Sequence, residues 1–288
     1  MIRAVTSRPT RCRTRSRVGV AGSPRGGSLT PAARRVAMSS PSGSLDTDAL
    51  LALVPRLRAA ILASETCPRD GTGAPTIPRD DERFLLRFLA CAKGDVAKAT
   101  ARHDAYWKAR REFFGAEDRP LDEAKCLAIR ASMPFLLAPG DAVDLHGRQV
   151  LVTRPPLIDW SRLATLDALE YVWFTYEEAF RRNPDAAPFV SVIHVRGITS
   201  RSMNRTFMRM MAKSLFGAMP TRFAAVFVCE PPAIFRFVVW PFVRLLLPKK
   251  ISERVQILPK EACEEALAKL LPRSSVPVEL GGTLELER

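Results

Sequence analysis

Residues 189–229 read FVSVIHVRGITSRSMNRTFMRMMAKSLFGAMPTRFAAVFVC. The runs Phe189–Val195 and Phe223–Cys229 are rich in β-branched and aromatic residues and apolar at almost every position. A strand with one wet face alternates, whereas a continuous apolar run predicts a strand covered on both faces. Between the two runs, Ser200–Phe216 has helical spacing. Arg201, Arg205, Arg209 and Lys213 recur every four residues on one face, and Met203, Phe207, Met210 and Met211 fall on another. A strand, a helix and a second doubly covered strand form the repeating unit of a parallel sheet.

The same alternation extends in both directions. Downstream lie an apolar helix within Pro232–Leu247, a short strand at Val255–Leu258 and a closing helix at Glu261–Leu271. Upstream, the turn at Asp144–Gly147 leads into a strand at Val150–Val152, and an aromatic-rich helix follows at Leu163–Arg182. Before Met133 the pattern is helical throughout: Asp46–Ser64; a helix holding Phe84, Leu85, Phe88 and Leu89 and ended by Gly94; Asp95–Phe114, with Val96, Ala99, His103 and Trp107 on one stripe; and Leu121–Met133. The fold class expected is α/β, an N-terminal module of three to four helices followed by a mainly parallel β-sheet flanked by helices.

The formal charge is +14, yet residues 1–40 hold nine arginines and no acid, leaving 35 basic and 30 acidic side chains in the remainder. The high isoelectric point thus arises mainly from a tail and argues weakly for nucleic-acid binding. Residues 1–45, rich in Arg, Ser, Ala and Gly, read as a disordered Arg-rich tail. An organelle transit peptide and a plain unstructured extension are the two readings of it. Six cysteines without CxxC spacing and three histidines give no zinc framework. The most apolar stretch, Pro232–Leu247, is interrupted by Arg236, Pro241 and Arg244, and is better read as an amphipathic surface segment than as a membrane span. No GxSxG, GxxxxGK[ST], strand-linked GxGxxG or HExxH motif occurs, so no enzyme is expected and no catalytic residue is assigned. Asp141, Asp144 and His146 before Gly147 read as a turn.

Several short motifs in a fixed order resemble the CRAL-TRIO (Sec14-like) family of lipid-binding proteins. Arg87-Phe88-Leu89, Asp95-Val96 and Trp107 are similar to its helical N-terminal module, and Gly147–Val152 to its first strand. Phe189–Ile193 is similar to its central strand, Met219-Pro220 to a turn, Glu230-Pro231 to the entry of its gate helix, and Pro277–Gly282 to its terminal signature. The resemblance implies a tail at residues 1–45, a helical module at 46–135 and a lipid-binding domain at 136–284. It is nearest to the tocopherol-transfer, retinaldehyde-binding and clavesin branch. In the phosphatidylinositol-transfer type an acidic side chain follows the central strand, whereas no Asp or Glu occurs here from Ile198 to Cys229. The family often has Asp at the position of His194 and Asn at that of Cys229.

A lipid cage needs apolar walls and an opening. The wall residues expected are Trp173, Phe174, Val190, Val192, Phe207 and Phe223, with His194 as a polar contact. Phe235 and Trp240 are placed on the gate. Anionic-membrane or phosphoinositide contact is expected from Arg222, Arg244, Lys249, Lys250 and Arg254, since Pro232–Lys260 holds six basic residues and one acid. The function implied is non-enzymatic binding and transfer, or sensing, of one hydrophobic lipid. The alternative is a membrane-docking scaffold with no cargo. The ligand is a bound hydrophobic lipid, with no metal and no other cofactor. The partner is an anionic membrane surface, with no nucleic acid, and the protein is expected to be monomeric. Its location is expected to be cytoplasmic and peripheral to membranes, with import into a plastid or mitochondrion as the consequence of a transit-peptide tail.

Overall fold

A computed structural model describes residues 46–115 and 119–286. The tail expected over residues 1–45 lies outside them. The chain begins with α1 (Thr47–Leu51) and α2 (Val54–Leu62), where one helix is expected from the sequence. The break falls at Ala52–Leu53, just before Pro55, whose ring lacks an N–H and fits only a first helical turn. Next come α3 (Glu82–Ala92), α4 (Val96–Phe114) and α5 (Glu123–Ser132). Each starts on an aspartate whose carboxylate accepts exposed backbone N–H groups: Asp81 from Arg83, Asp95 from Lys98 and Asp122 from Lys125, at 2.8–3.0 Å. Helix α3 ends at Lys93 and Gly94, both at positive φ.

The sheet has five strands in sequential order: β1 (Leu136–Leu137), β2 (Val150–Thr153), β3 (Phe189–His194), β4 (Phe223–Cys229) and β5 (Val255–Leu258). The two-residue β1 runs antiparallel to β2, and the other neighbours are parallel. Parallel strands placed side by side in chain order, each joined by a right-handed crossover, carry all their crossovers on one face. Here α6 (Thr165–Arg182), α7 (Arg205–Met211) and α8 (Trp240–Leu246) share one face. The short α9 (Lys249–Ser252) precedes β5, and α10 (Lys260–Ala268) packs on the opposite face.

That arrangement divides the strand residues by parity. Val150, Val152, Val190, Val192, Ala225 and Phe227 lie in the cluster beneath α10, with Cys263, Leu267 and the C-terminal segment. Leu151, Phe189 and Val226 belong to the cluster on the crossover face. The C-terminal segment closes through Gly282, where a Cβ would lie 1.8 Å from the Val276 carbonyl oxygen, so only glycine permits that approach.

The helical module is fastened to α6. Arg110 pairs with Glu177 at 2.8 Å, Tyr106 donates to the same carboxylate at 2.9 Å, and Lys125 reaches Glu170 at 2.6 Å. Arg87, the arginine of the Arg87-Phe88-Leu89 motif, donates to the carbonyls of Phe180 and Asn183 at the C-terminal end of α6. The guanidinium thereby places positive charge at the negative end of the helix dipole, on carbonyls that also accept the Asn183 and Ala186 N–H groups.

Candidate functional site

Between the sheet and its crossover helices lies a cavity of about 280 Å³. Its floor is the crossover face of β3 and β4, where Ser191 and Ile193 alternate with residues that face away, and Val226 and Val228 continue the surface. Val172 and Tyr176 of α6 and Phe207, Met208 and Met211 of α7 form its sides. A register shift at Phe189/Val190 against β4 sets Phe223 and Val226 on this same face, three positions apart, because one extra residue is accommodated there. Among the described residues lining the cavity there is no Asp, Glu, Lys, Arg or His.

The outer wall is the apolar helix after Pro231. It leaves β4 through Glu230, which holds a φ of 54°, and runs as a π-helical stretch, Phe235–Val239, into α8. A second π-helical stretch, Ala212–Ala218, continues α7, so two irregular helices border the same space. One face of the outer wall turns Phe235, Val239, Trp240 and Val243 toward the cavity. The opposite face is apolar as well: Phe237 is 80% exposed, Val238 56% and Leu245 85%. Arg236 and Arg244 stand beside them, and Lys249 and Lys250 follow at the next turn, all exposed.

Of the wall and gate residues singled out in the sequence, Phe207, Phe223, Phe235 and Trp240 come together around the cavity. Four others do not. Trp173 turns to the helical module, 5.0 Å from the Tyr106 ring and 5.5 Å from that of Phe114, and Phe174 lies beneath the Arg130 guanidinium. Helix α6 is covered on more than one side, and residues about 100° away, Val172 and Tyr176, meet the cavity instead. Val190 and Val192 face α10 because a one-residue error of parity exchanges the two faces of a strand. The same parity removes His194, whose Nε2 lies 3.6 Å from Glu230 Oε2 on the far face, where its β4 neighbour Cys229 is also buried.

The basic residues divide into two groups. Arg244, Lys249 and Lys250 are exposed along the gate and the turn after it. Arg222 is held inward, donating to the Ala186 carbonyl at 2.8 Å, and burial lowers its pKa. Arg254 lies past the end of α9 and donates to the Phe223 carbonyl, so it supports the start of β4 although it is exposed. Of the stripe after the central strand, Arg205 and Arg209 are exposed on α7, and Lys213 pairs with Glu112 of α4.

Sequence reasoning missed Tyr176, Ser191, Phe237 and Leu245. A serine inside an otherwise apolar strand was the available signal for the cavity face. Nothing comparable marked which side of the gate faces out.

No described helix is long and apolar enough to cross a membrane, and no cluster of potential metal ligands occurs among the described residues. A family model for the CRAL/TRIO domain matches residues 138–282. No curated protein matches the chain. Among solved structures, one titled "Crystal structure of Sfh5" superposes with a TM-score of 0.51 at 12% identity, covering 77% of this chain and 81% of that one. At that identity the likeness is one of fold.

Proposed function

The chain belongs to the CRAL/TRIO domain family, and from that premise we propose that it is a carrier that encloses one hydrophobic lipid and exchanges it at an anionic membrane surface. The observation that carries this reading is the gate: a helix that closes an apolar cavity with one face and presents Phe237, Val238 and Leu245 to the outside with the other. Contiguous exposed apolar surface marks an interaction site, and basic side chains around it favour anionic headgroups. Insertion of the outer face would draw the gate off the cavity, and the membrane favours the open form only as far as it binds that form better. The absence of Asp and Glu from Ile198 to Cys229 supports placing the protein nearer the tocopherol-transfer branch than the phosphatidylinositol-transfer type. Phosphoinositides then act at the mouth, through Lys249, Lys250 and Arg244, and not as internal cargo.

Vesicle binding and vesicle-to-vesicle transfer of a fluorescent lipid test this in two arms. Phe237→Asp with Leu245→Asp is expected to abolish binding to neutral and anionic vesicles alike, because burying each side chain contributes on the order of 1.5–3 kcal/mol. Lys249→Glu with Lys250→Glu is expected to weaken binding to phosphoinositide vesicles by roughly thirtyfold or more, since each basic group contributes about 1 kcal/mol near an anionic surface. That second loss shrinks at high salt, as screening acts on exposed charge. Unchanged binding in the first arm sinks the gate assignment. Equal loss on neutral vesicles in the second shows that the lysines support the gate mechanically.

A further inference from the structure

Independently of the carrier reading, we infer that Cys229 and Cys263 are a redox-active pair, which a peroxide converts to a disulfide that staples α10 to the end of β4. The two lie on the face of the sheet away from the cavity and share a hydrogen bond between their thiols. Both are buried. Cys229 is the last residue of β4, flanked by His194 on β3 and Leu258 on β5. Cys263 stands in the first turn of α10, where its thiol donates to the Leu258 carbonyl at 3.4 Å. That carbonyl also accepts the Glu230 N–H at 3.0 Å. The two cysteines, the end of β5 and the residue that opens the gate segment therefore meet at one point.

Proximity alone would make these two small groups in a packed core. The asymmetry between them makes the pair reactive. The hydrogen bond from Cys229 lowers the pKa of Cys263 against the effect of burial, helped by the Glu230 N–H and opposed by the charges of Glu230 and Glu261. The same bond, together with burial, raises the pKa of Cys229. One sulfur is disposed to be the thiolate and its neighbour to hold the proton, which are the roles of an attacking and a resolving cysteine. The other described cysteines lack this arrangement. Cys67 and Cys91 each donate to a backbone carbonyl, and burial raises the pKa of Cys126.

With hydrogen peroxide, the Cys263 thiolate attacks one oxygen, the O–O bond breaks, and the leaving hydroxide takes up the proton that Cys263 released. The Cys229 sulfur then attacks the sulfenic acid so formed. The S–S bond forms as the S–O bond breaks, and the second hydroxide leaves as water with the Cys229 proton. Two electrons pass from the two sulfurs to the two peroxide oxygens. A single nine-residue helix covers the site, with Cys263 and Leu267 as its buried residues, so local opening of α10 admits a small oxidant. The cross-link closes residues 230–262, the segment that carries the gate and β5, into a loop and removes freedom from the unfolded chain.

To test this, the full chain is reduced, freed of reductant, treated with hydrogen peroxide, alkylated and digested without reduction, and its peptides are identified by mass spectrometry. A peptide pair joined through Cys229 and Cys263 is expected, with a melting temperature roughly 5–10 °C above that of the reduced protein. Dithiothreitol is expected to reverse both changes, and Cys263→Ala to show neither. Recovery of both thiols in alkylated form overturns the inference. So does a cross-link that forms only when peroxide is added in denaturant, or one that leaves the melting temperature unaltered. Comparison of the oxidised with the reduced unaltered chain decides the matter even where Cys263→Ala does not fold. Lipid transfer by the reduced protein tests the carrier reading separately.

Discussion

Around Trp107 the rings of Phe84, Phe88, Tyr106 and Trp173 meet at centroid distances of 5.0–6.3 Å, and every one of them is buried. Along the gate, Phe235 and Trp240 border empty space, and Phe237 faces outward. Both regions are apolar and aromatic, and composition does not separate them. What differs is whether the rings fill the volume between helices or only enclose it. Edge-to-face packing to interior density contributes to stability directly. A wall of apolar groups around an unfilled space contributes less, and the π-helical stretch Phe235–Val239 interrupts the regular helical backbone there. In the carrier reading the helical module is the rigid support, and the gate is the part that moves.

Substitutions that act oppositely in the two regions sharpen this contrast. The largest effect is expected for Phe88→Ala, which empties a fully buried position between Phe84 and Tyr106. A loss of about 3–5 kcal/mol in denaturant unfolding is expected, with lipid exchange per folded molecule unchanged. An exchange defect without that loss of stability would place function in the module and break the comparison.

The next effect concerns pH. His103 is fully buried, its Nε2 accepts from the Trp107 indole N–H at 2.8 Å, and burial lowers its pKa from the ordinary 6.5 to about 4 against the opposing pull of Asp104. The unfolded chain therefore binds a proton that the native state refuses between pH 6.5 and 4. Stability falls as pH drops through that window, by on the order of 3 kcal/mol. Equilibrium unfolding measured across it is expected to show this slope, and His103→Gln to flatten it. A slope unaltered in His103→Gln would assign the acid sensitivity elsewhere.

The smallest effect belongs to the gate. Phe237→Asp is expected to change folding stability by less than about 0.5 kcal/mol, since an exposed side chain contributes little to the core. A change of several kcal/mol would mean that Phe237 is packed in solution and that the two regions are alike.

Much of this fold was legible in the sequence because local chemistry and global arrangement agree. Gly94 marked a helix end and Asp95 a helix start, and the runs at Phe189 and Phe223 marked doubly covered strands. The site was legible only in part. Phe207, Phe235 and Trp240 lie on the inner faces of crossover helices, and Phe223 opens the strand beside them. Val190 and Val192 were assigned to the wrong face because a strand buried on both sides carries no alternation from which parity can be read. Trp173 was misplaced for a related reason: α6 is covered by helices as well as by the cavity, so hydrophobicity alone does not choose among its faces. Pro55 splitting the first helix and the two-residue β1 were too local for a periodicity argument to reach.

The central claim is that the cavity holds a single lipid. Native mass spectrometry of the intact protein, purified without detergent and then incubated with mixed-lipid vesicles, measures this most directly. The carrier reading predicts the polypeptide mass plus one hydrophobic lipid, in one-to-one stoichiometry, with the adduct taken up from vesicles when absent beforehand. A bare polypeptide both before and after incubation, in a protein that still binds the vesicles, would contradict it and favour a docking scaffold that carries no cargo.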